Sequence, residues 1–312
     1  MKIVLAGGTG AIGELLARAW HARGDEVVVI SRTPHLARWE TQAWNGRTLG
    51  LWADAVDGAD VVVNLAGRSV NCRYNAANRA AIMSSRVDST RVLGEAIARA
   101  AKPPRVWLQS STATIYEHRY EPANDEATGI VGVGANAPDT WRFSIEVAKA
   151  WEAACEAVTT PQTRKVLLRS AMVMSPGADG IFGTLLKLAK RGLAGTAGDG
   201  KQYVSWIHGT DFTNALDFLI ARDDVAGVVN LASPNPLPNA EFMADLRRAA
   251  NVRIGLPATA WMLEAGALLM GTETELLLKS RRVVPARLLE AGFTFVHPDW
   301  PEAAADLCQA SV

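Results

Sequence analysis

The sequence predicts an α/β fold: a Rossmann-type doubly wound parallel sheet with a smaller, mostly helical C-terminal substrate lobe. Short runs of apolar and β-branched residues alternate with segments of helical spacing over the first half of the chain. A glycine-rich turn joins the first apolar run to the first helical segment. After about residue 174 the alternation weakens, and prolines separate mostly helical segments. Together these observations indicate the fold class.

The individual strands and helices follow from the same pattern. Strands buried on both faces are apolar throughout, and "EVVVI" at 26–30 is typical of them. Strands are predicted at 2–6, 26–30, 60–66, 105–109, 165–173 and 228–232. Helices are predicted at 11–23, 78–101, 141–158, 181–191 and 211–221. The predicted sheet domain is 1–174 with about 205–232 returning to it, and the predicted smaller lobe is 175–204 and 233–312.

Composition argues against several classes of protein. The 312 residues include 32 basic and 32 acidic side chains, so no basic excess favours nucleic acid. No apolar stretch approaches the roughly 18 residues that span a membrane. The cysteines lie far apart and the histidines show no metal spacing, so we expect a reducing, cytoplasmic location and no metal site. The expected partner is a small-molecule substrate, and the oligomeric state is left open.

The stretch "AGGTGAIG" at 6–13 places Gly7, Gly10 and Gly13 between the first strand and the first helix. Gly7 permits a tight turn, Gly10 lets the backbone approach a pyrophosphate, and Gly13 lets the helix pack closely on the strand. The helix N-terminus presents free N–H groups and a positive dipole end to phosphates. The sheet domain is therefore predicted to bind a dinucleotide.

The end of the second strand indicates which dinucleotide. An acidic residue there would bind the ribose 2′-OH of NAD, but the chain has Ser31 and Arg32 at that place. A guanidinium suits a 2′-phosphate through charge-assisted hydrogen bonds, so NADP(H) is the predicted cofactor. Arg38 is a weaker second candidate for the same role. The alternative is that Arg32 is only a solvated surface charge.

Further motifs give the chain a family resemblance. "GGTGAIG", "NLAG" (64–67), "SSTATIY" (110–116) and "LRSAMVMSP" (168–176) follow one another as in extended short-chain dehydrogenase/reductases. More narrowly, the chain resembles an atypical branch of nucleotide-sugar-epimerase-like, NAD(P)-dependent epimerase/dehydratase-like proteins of unassigned substrate. The local stretches that carry this closer resemblance are "SRVDSTRVL" (85–93), "WEAACEA" (151–157), "GDGKQYVSWIHGTDF" (198–212) and "SRRVVPARLLEAGFTF" (280–295).

The resemblance implies roles by position. Gly67 and its neighbours would line the adenosine and ribose of the cofactor, and 169–173 would pass beside the nicotinamide. Thr112 matches the catalytic Ser/Thr of the extended enzymes. The expected cofactor-binding residues are Gly7, Thr9, Gly10, Ala11, Ile12, Gly13, Ser31, Arg32, Leu65, Ala66, Gly67, Arg86, Ser110, Ser111, Arg169, Ala171 and Met172.

One part of the family pattern is missing. The extended enzymes carry a Tyr and a Lys four residues apart on one helical face for proton transfer. The corresponding helix here has Phe143 and Val147, and no such pair occurs anywhere in the chain. Lys149 lies some 200° from Val147 around the helix, at about 100° per residue. It shares its face with Glu146, Glu152 and Glu156, which predicts a solvated row of charges.

Other polar residues could supply the chemistry. The catalytic candidates are Thr112, Tyr116 and His208, and the substrate-binding candidates are Asn71, Arg73, Gln202 and Trp206. Each could instead serve the fold, as a turn cap, a core side chain or a surface ion pair. Two hypotheses therefore stand. The first is an NADP(H)-binding oxidoreductase or epimerase-like enzyme for an unknown small polar substrate. The second is a non-catalytic NADPH-binding sensor or interaction protein.

Overall fold

A computed structural model describes residues 1–135, 137–177, 180–271 and 273–311. Its strands are β1 (Lys2–Ala6), β2 (Glu26–Ser31), β3 (Glu40–Ala43), β4 (Val61–Asn64), β5 (Val106–Thr112), β6 (Arg164–Ser170), β7 (Met172–Met174), β8 (Tyr203–Val204), β9 (Trp206–His208), β10 (Gly227–Leu231) and β11 (Leu237–Pro238). Its helices are α1 (Ala11–Ala22), α2 (Ala76–Arg99), α3 (Asp139–Glu156), α4 (Ile181–Lys190), α5 (Gly209–Ala221), α6 (Asn239–Ala249), α7 (Ala260–Met270), α8 (Glu275–Leu278), α9 (Ala286–Glu290) and α10 (Trp300–Gln309).

Seven strands form one sheet in the order β10-β6-β5-β4-β1-β2-β3. Every neighbouring pair is parallel, and Ile3 of β1 is in register with Val27 of β2 and Val61 of β4. This is the doubly wound order, and it confirms the predicted fold class. The strand order reverses between β1 and β4, so a crevice is expected beyond their carboxyl ends.

Helices cover both faces of the sheet. Ile3 and Leu5 point to one face, where they pack with Leu216 of α5, and Val4 points to the other, where it packs with Val92 of α2. All of these side chains are fully buried. Burial on both faces explains why the central strands are apolar without alternation.

Two features differ from the predicted elements. The strand predicted at 165–173 is two strands, because the chain leaves the sheet after Ser170 and β7 pairs with β9 in a separate two-stranded ladder. β3 was not predicted, since "ETQA" is a short, half-exposed edge strand without an apolar run. The predicted helices occur, and each of their ends lies within two residues of the predicted position.

The later part of the chain has an apolar cluster of its own. Trp300 of α10 stacks on Phe242 of α6 at 4.0 Å between ring centroids and meets Trp206 of β9 at 5.0 Å. Phe182 of α4 completes this cluster. The predicted domain boundaries stay a prediction. Over the described residues, the structure contains no helix long and apolar enough to cross a membrane.

Candidate functional site

A cleft runs along the carboxyl edge of the sheet, at the point where the strand order reverses. It consists of two adjoining cavities of about 690 and 520 Å³. Both are lined by Gly7, Gly10, Leu65 and Gly67, which follow β1 and β4. The cleft therefore lies where doubly wound sheets bind their ligands.

The three glycines at the start of α1 have separate geometric reasons. Gly7 has a φ of +75°, and a Cβ there would lie 2.7 Å from the Cα of Ala66. A Cβ on Gly13 would lie 2.4 Å from the backbone of Gly8. A Cβ on Gly10 would meet no atom within 4 Å, so this position faces open space. Gly7 and Gly13 are thus required by the fold, whereas Gly10 leaves room for a ligand beside the uncapped N-terminus of α1.

The larger cavity is rich in arginine. Ser31 and Arg32 reach it from the end of β2, Arg47 from the loop after β3, and Arg68 from the loop after β4. The Thr9 and Ser31 hydroxyls, also on this wall, lie 2.9 Å apart. Among its described lining residues there is no carboxylate. Such a wall could hold a 2′-phosphate by paired hydrogen bonds from guanidinium groups.

The second cavity receives most of the other residues predicted at a cofactor. It is lined by Ala11, Ile12, Gly13, Ser110, Ser111, Ala171 and Met172. Leu65 and Ala66 line the first cavity and Thr9 lies beside them. Thr112 lines the second cavity at the end of β5. The two cavities together could hold an elongated dinucleotide, with its phosphates at Gly10.

Arg169 does not reach the cleft, which corrects its predicted role at the cofactor. It forms a bidentate ion pair with Glu152 of α3, with both N–O distances at 2.8 Å, and both side chains are buried. Burial opposes the charge, but the hydrogen bonds that Arg169 donates to Glu152 raise the pKa of Arg169 above its usual value. The prediction that Glu152 belongs to a solvated row of charges was wrong, because its carboxylate turns inward to Arg169 and the Ser111 hydroxyl.

Tyr116 and His208, predicted as catalytic, are also held by the fold. The buried Tyr116 hydroxyl donates to Asn230 at 2.9 Å and accepts from Arg169 at 3.0 Å. His208 caps α5, since its Nδ1 accepts from the backbone N–H of Thr210 at 3.1 Å. Neither residue is among those that line the cavities. The Tyr116 hydroxyl and Nδ1 of His208 thus make hydrogen bonds within the fold.

His208 nevertheless belongs to a group that sequence spacing did not indicate. Ligand atoms of His208, His297 and Asp306 lie within 4.8 Å of one another. Because Nδ1 of His208 accepts a backbone hydrogen bond, its proton lies on Nε2, which faces Asp306 at 3.2 Å. This group therefore contains a histidine–aspartate contact.

The predicted substrate residues are likewise placed elsewhere. Gln202 is buried and donates to the carbonyls of Ala197 and Leu277, and Trp206 is fully buried in the C-terminal apolar cluster. Arg73 pairs with Glu273 at 3.1 Å, and Asn71 is exposed with its N–H bonded to the Ser69 hydroxyl. None of the four lines the cleft. These residues lie beside strand ends, but they contact loops and the core instead of the cleft.

A third, smaller cavity of about 140 Å³ adjoins the second one. Phe143 and Val147, at the positions of the missing Tyr and Lys, are buried on its wall, and Lys149 is exposed as predicted. Arg86 lines the same cavity, with its guanidinium 5.0 Å from the Trp151 ring centroid. Burial lowers the pKa of Arg86 to about 10.

Several lining residues were missed by sequence reasoning. Arg47 was hidden because β3 itself was not predicted, and Arg68 because it directly follows the expected "NLAG". Tyr74, Ser144 and Glu275 meet in the third cavity from three distant segments. No local sequence pattern predicts that residues from distant segments contact one cavity.

Comparison with known proteins agrees with this geometry. A sequence profile of the NAD dependent epimerase/dehydratase family matches residues 3–232, and one for a domain of unknown function (DUF1731) matches 258–307. Epimerase family protein SDR39U1 of Homo sapiens is 30% identical over 313 residues, covering 98% of this chain and 99% of the relative. Epimerase family protein MT2273 of Mycobacterium tuberculosis is 32% identical over 305 residues, covering 96% and 95%.

The fold extends the similarity to a solved structure. The crystal structure of human SDR39U1 (isoform 2) with NADPH matches with a TM-score of 0.86 at 28% identity, covering 99% of each chain. The matched profile includes residues of all seven strands of the sheet and the glycine loop. The chain therefore belongs to the NAD dependent epimerase/dehydratase family.

Proposed function

We propose that this protein binds NADP(H) and acts as an oxidoreductase or epimerase-like enzyme on an unknown small polar substrate. The main support is the larger cavity, which extends from the open position at Gly10 to three arginines. Its described lining residues include no carboxylate. The human relative crystallised with NADPH supports the same cofactor.

The preference for the 2′-phosphate follows from charge. A carboxylate at the end of β2 would bind a ribose hydroxyl and repel a phosphate. Ser31 and Arg32 occupy that end, and Arg47 approaches from the loop after β3. Arginine presents a planar fork of donors that matches phosphate oxygens and stays charged at every working pH.

The chain's own residues would position the cofactor and supply a proton. NADP(H), when bound, supplies the hydride chemistry. The N-terminus of α1 would face the pyrophosphate, and Thr112 would lie beside the reacting end of the cleft, since it lines both the second and the third cavity. The cleft is thus expected to orient a substrate carbonyl or alcohol carbon toward the cofactor.

Fluorescence titration with NADPH and NADH tests the cofactor. We expect tighter binding of NADPH, and a loss of about 1.5–3 kcal/mol, roughly 10- to 150-fold, in Arg32→Ala or Arg47→Ala. NADH affinity should change little in both variants. Arg18→Ala is the matched control, because Arg18 is exposed on α1 and does not line the cavities. Equal affinity for NADH and NADPH would contradict the proposal.

A non-catalytic NADPH-binding sensor or interaction protein is the second candidate. It is favoured by Phe143 and Val147, which are buried where the family's proton-transfer pair would be. The two candidates differ in turnover. Oxidation of NADPH, followed at 340 nm with a panel of nucleotide sugars, aldehydes and ketones, supports the enzyme. Tight NADPH binding without turnover across the panel supports the sensor. In either case we expect the protein to act in the cytoplasm.

A further inference from the structure

The third cavity lies where the missing acid–base pair would act. It shares Val70, Thr112, Thr114 and Trp151 with the second cavity, so the two spaces adjoin along one wall. Its volume of about 140 Å³ is close to that of an apolar cavity of about 150 Å³ that holds benzene. A substrate group of this size would sit directly beside the reacting end of a cofactor in the second cavity.

Tyr74 enters this cavity from the loop after β4. Its ring packs edge-on against Phe143, with 5.1 Å between the ring centroids. Its backbone is fixed on both sides, since its N–H donates to Glu273 at 2.8 Å and its carbonyl accepts from Arg79 at 2.8 Å. The Tyr74 phenol therefore lies next to Phe143, the helical position at which the extended enzymes carry their tyrosine.

A chain of polar groups extends behind the phenol. Burial raises the pKa of Tyr74, and the hydrogen bond with Ser144 opposes that rise. The Ser144 hydroxyl donates to the buried carboxylate of Glu275. Burial also raises the pKa of Glu275, while Lys279, 3.6 Å from it, opposes that rise. Lys279 in turn donates to the carbonyl of Thr114 on the cavity wall at 2.7 Å.

A cation lines the same cavity as the phenol. The Arg86 guanidinium donates to the backbone carbonyls of Arg68 and Ile82, and its charge favours the phenolate of Tyr74. In the usual pair a lysine supplies that charge. The charged and titratable groups around the phenol from the surrounding segments are Cys72, Arg79, Arg86, Glu273 and Glu275.

We propose that Tyr74 is the catalytic proton donor and acceptor of this protein, with Arg86 in place of the usual lysine and with Ser144 and Glu275 as positioning residues. This inference rests on the proposed NADP(H)-dependent function. In the reducing direction, hydride from NADPH forms a new C–H bond at a carbonyl carbon, and the two electrons of the C=O π bond move to oxygen. That oxygen takes the proton of the Tyr74 hydroxyl, and a proton from water restores the phenol, which Ser144 and Glu275 hold in position. The products are an alcohol and NADP⁺.

The cavity also narrows the substrate class. The lining of the third cavity is mainly apolar and includes Val70, Ile82, Phe143, Val147 and Ala148. The part of the substrate that bears the carbonyl is therefore expected to be compact and mainly apolar, with about the size of one six-membered ring.

Absorbance of the phenolate near 295 nm tests the assignment without a substrate. The oxidised nicotinamide carries a positive charge that the reduced one lacks. A charge about 10 Å away favours the phenolate by roughly tenfold in its ionisation constant. At pH 9.5, NADP⁺ should therefore increase the 295 nm absorbance of the wild type, whereas NADPH, measured against a matched reference, should not.

Tyr74→Phe should abolish this increase and Tyr120→Phe should keep it, because Tyr120 is 40% exposed and does not line the cavity. Arg86→Gln should reduce the increase while circular dichroism shows the fold intact. An equal increase in Tyr74→Phe, or none in the wild type with NADP⁺ bound, would overturn the assignment. Quenching of tryptophan fluorescence reports binding independently. If neither NADP⁺ nor NADPH quenches it, the proposed function itself fails, and this inference fails with it.

Discussion

The two ends of the cleft differ in how polar residues are used. At the arginine-rich end, Gly10, Ser31 and Arg32 lie on the cavity wall. Near the opposite end, Tyr116 and Arg169 lie outside the cavity lining and make buried hydrogen bonds with other parts of the fold. A glycine loop between a strand and a helix creates its own binding surface locally. A polar side chain near a strand end has two possible uses, and only its tertiary partners decide between them.

The largest effect is expected from breaking the buried ion pair between Glu152 and Arg169. Glu152→Ala should lower the free energy of unfolding by about 3–5 kcal/mol, because it leaves the Arg169 guanidinium buried without its partner. Chemical denaturation at pH 7 measures this. Glu156→Ala, on the exposed side of the same helix, is the control and should change stability by at most about 0.5 kcal/mol. Similar values for both variants would mean that the ion pair does not hold this end together.

A large loss of NADPH binding, without loss of stability, is expected from a substitution at Gly10 in the arginine-rich end of the cleft. Gly10→Val should weaken NADPH binding by about 100-fold or more, roughly 2.7 kcal/mol, because its side chain would occupy the open space assigned to the pyrophosphate. The midpoint of unfolding should stay near the wild-type value. Gly132→Val is matched, since its Cβ also meets no atom within 4 Å and it lies outside the cavities. Normal NADPH affinity in Gly10→Val would rule out a cofactor loop.

A smaller, pH-dependent effect is expected at His208. Burial and the neighbouring His297 lower the pKa of His208, so the folded protein favours its neutral form. As pH falls below about 6.5, the unfolded chain takes up this proton first, and stability is lost. His208→Asn keeps a capping side chain and removes the titration, so its stability should fall less between pH 7 and pH 5. His118 retains a similar slope, because burial and Lys279 lower its pKa too. The exposed His21→Asn should follow the wild type, and a steeper fall in His208→Asn would contradict this explanation.

The smallest effect is expected at Lys149. The residue is exposed, so Lys149→Ala should leave NADPH affinity and any turnover unchanged and alter stability by about 0.5 kcal/mol or less. Fluorescence titration and thermal unfolding are sufficient measurements. A tenfold loss of turnover with an intact circular dichroism spectrum would identify Lys149 as the catalytic lysine. It would contradict the roles proposed for Tyr74 and Arg86.

Prediction from sequence succeeded where the signal was local and failed where it was not. The apolar runs of β1, β2 and β4 specify buried parallel strands, and the spacing of Gly7 and Gly13 specifies the turn between β1 and α1. The polar edge strand β3 was missed, and Arg47 with it, because an edge strand needs no apolar run. The inward turn of Glu152 was missed because its partner lies on β6, which helical periodicity cannot reveal.

The sequence by itself determined the alternating α/β architecture, the position of the glycine loop and the absence of a Tyr–Lys pair on α3. These features depend on neighbours within a few residues, whose sterics and periodicity are written in the chain. Tertiary structure alone decided that Tyr116 and His208 are held by the fold, and that Tyr74, Ser144 and Glu275 meet in one cavity. Contacts between distant segments depend on how helices and strands pack together, and the free energy of that packing is shared among many residues without a local pattern.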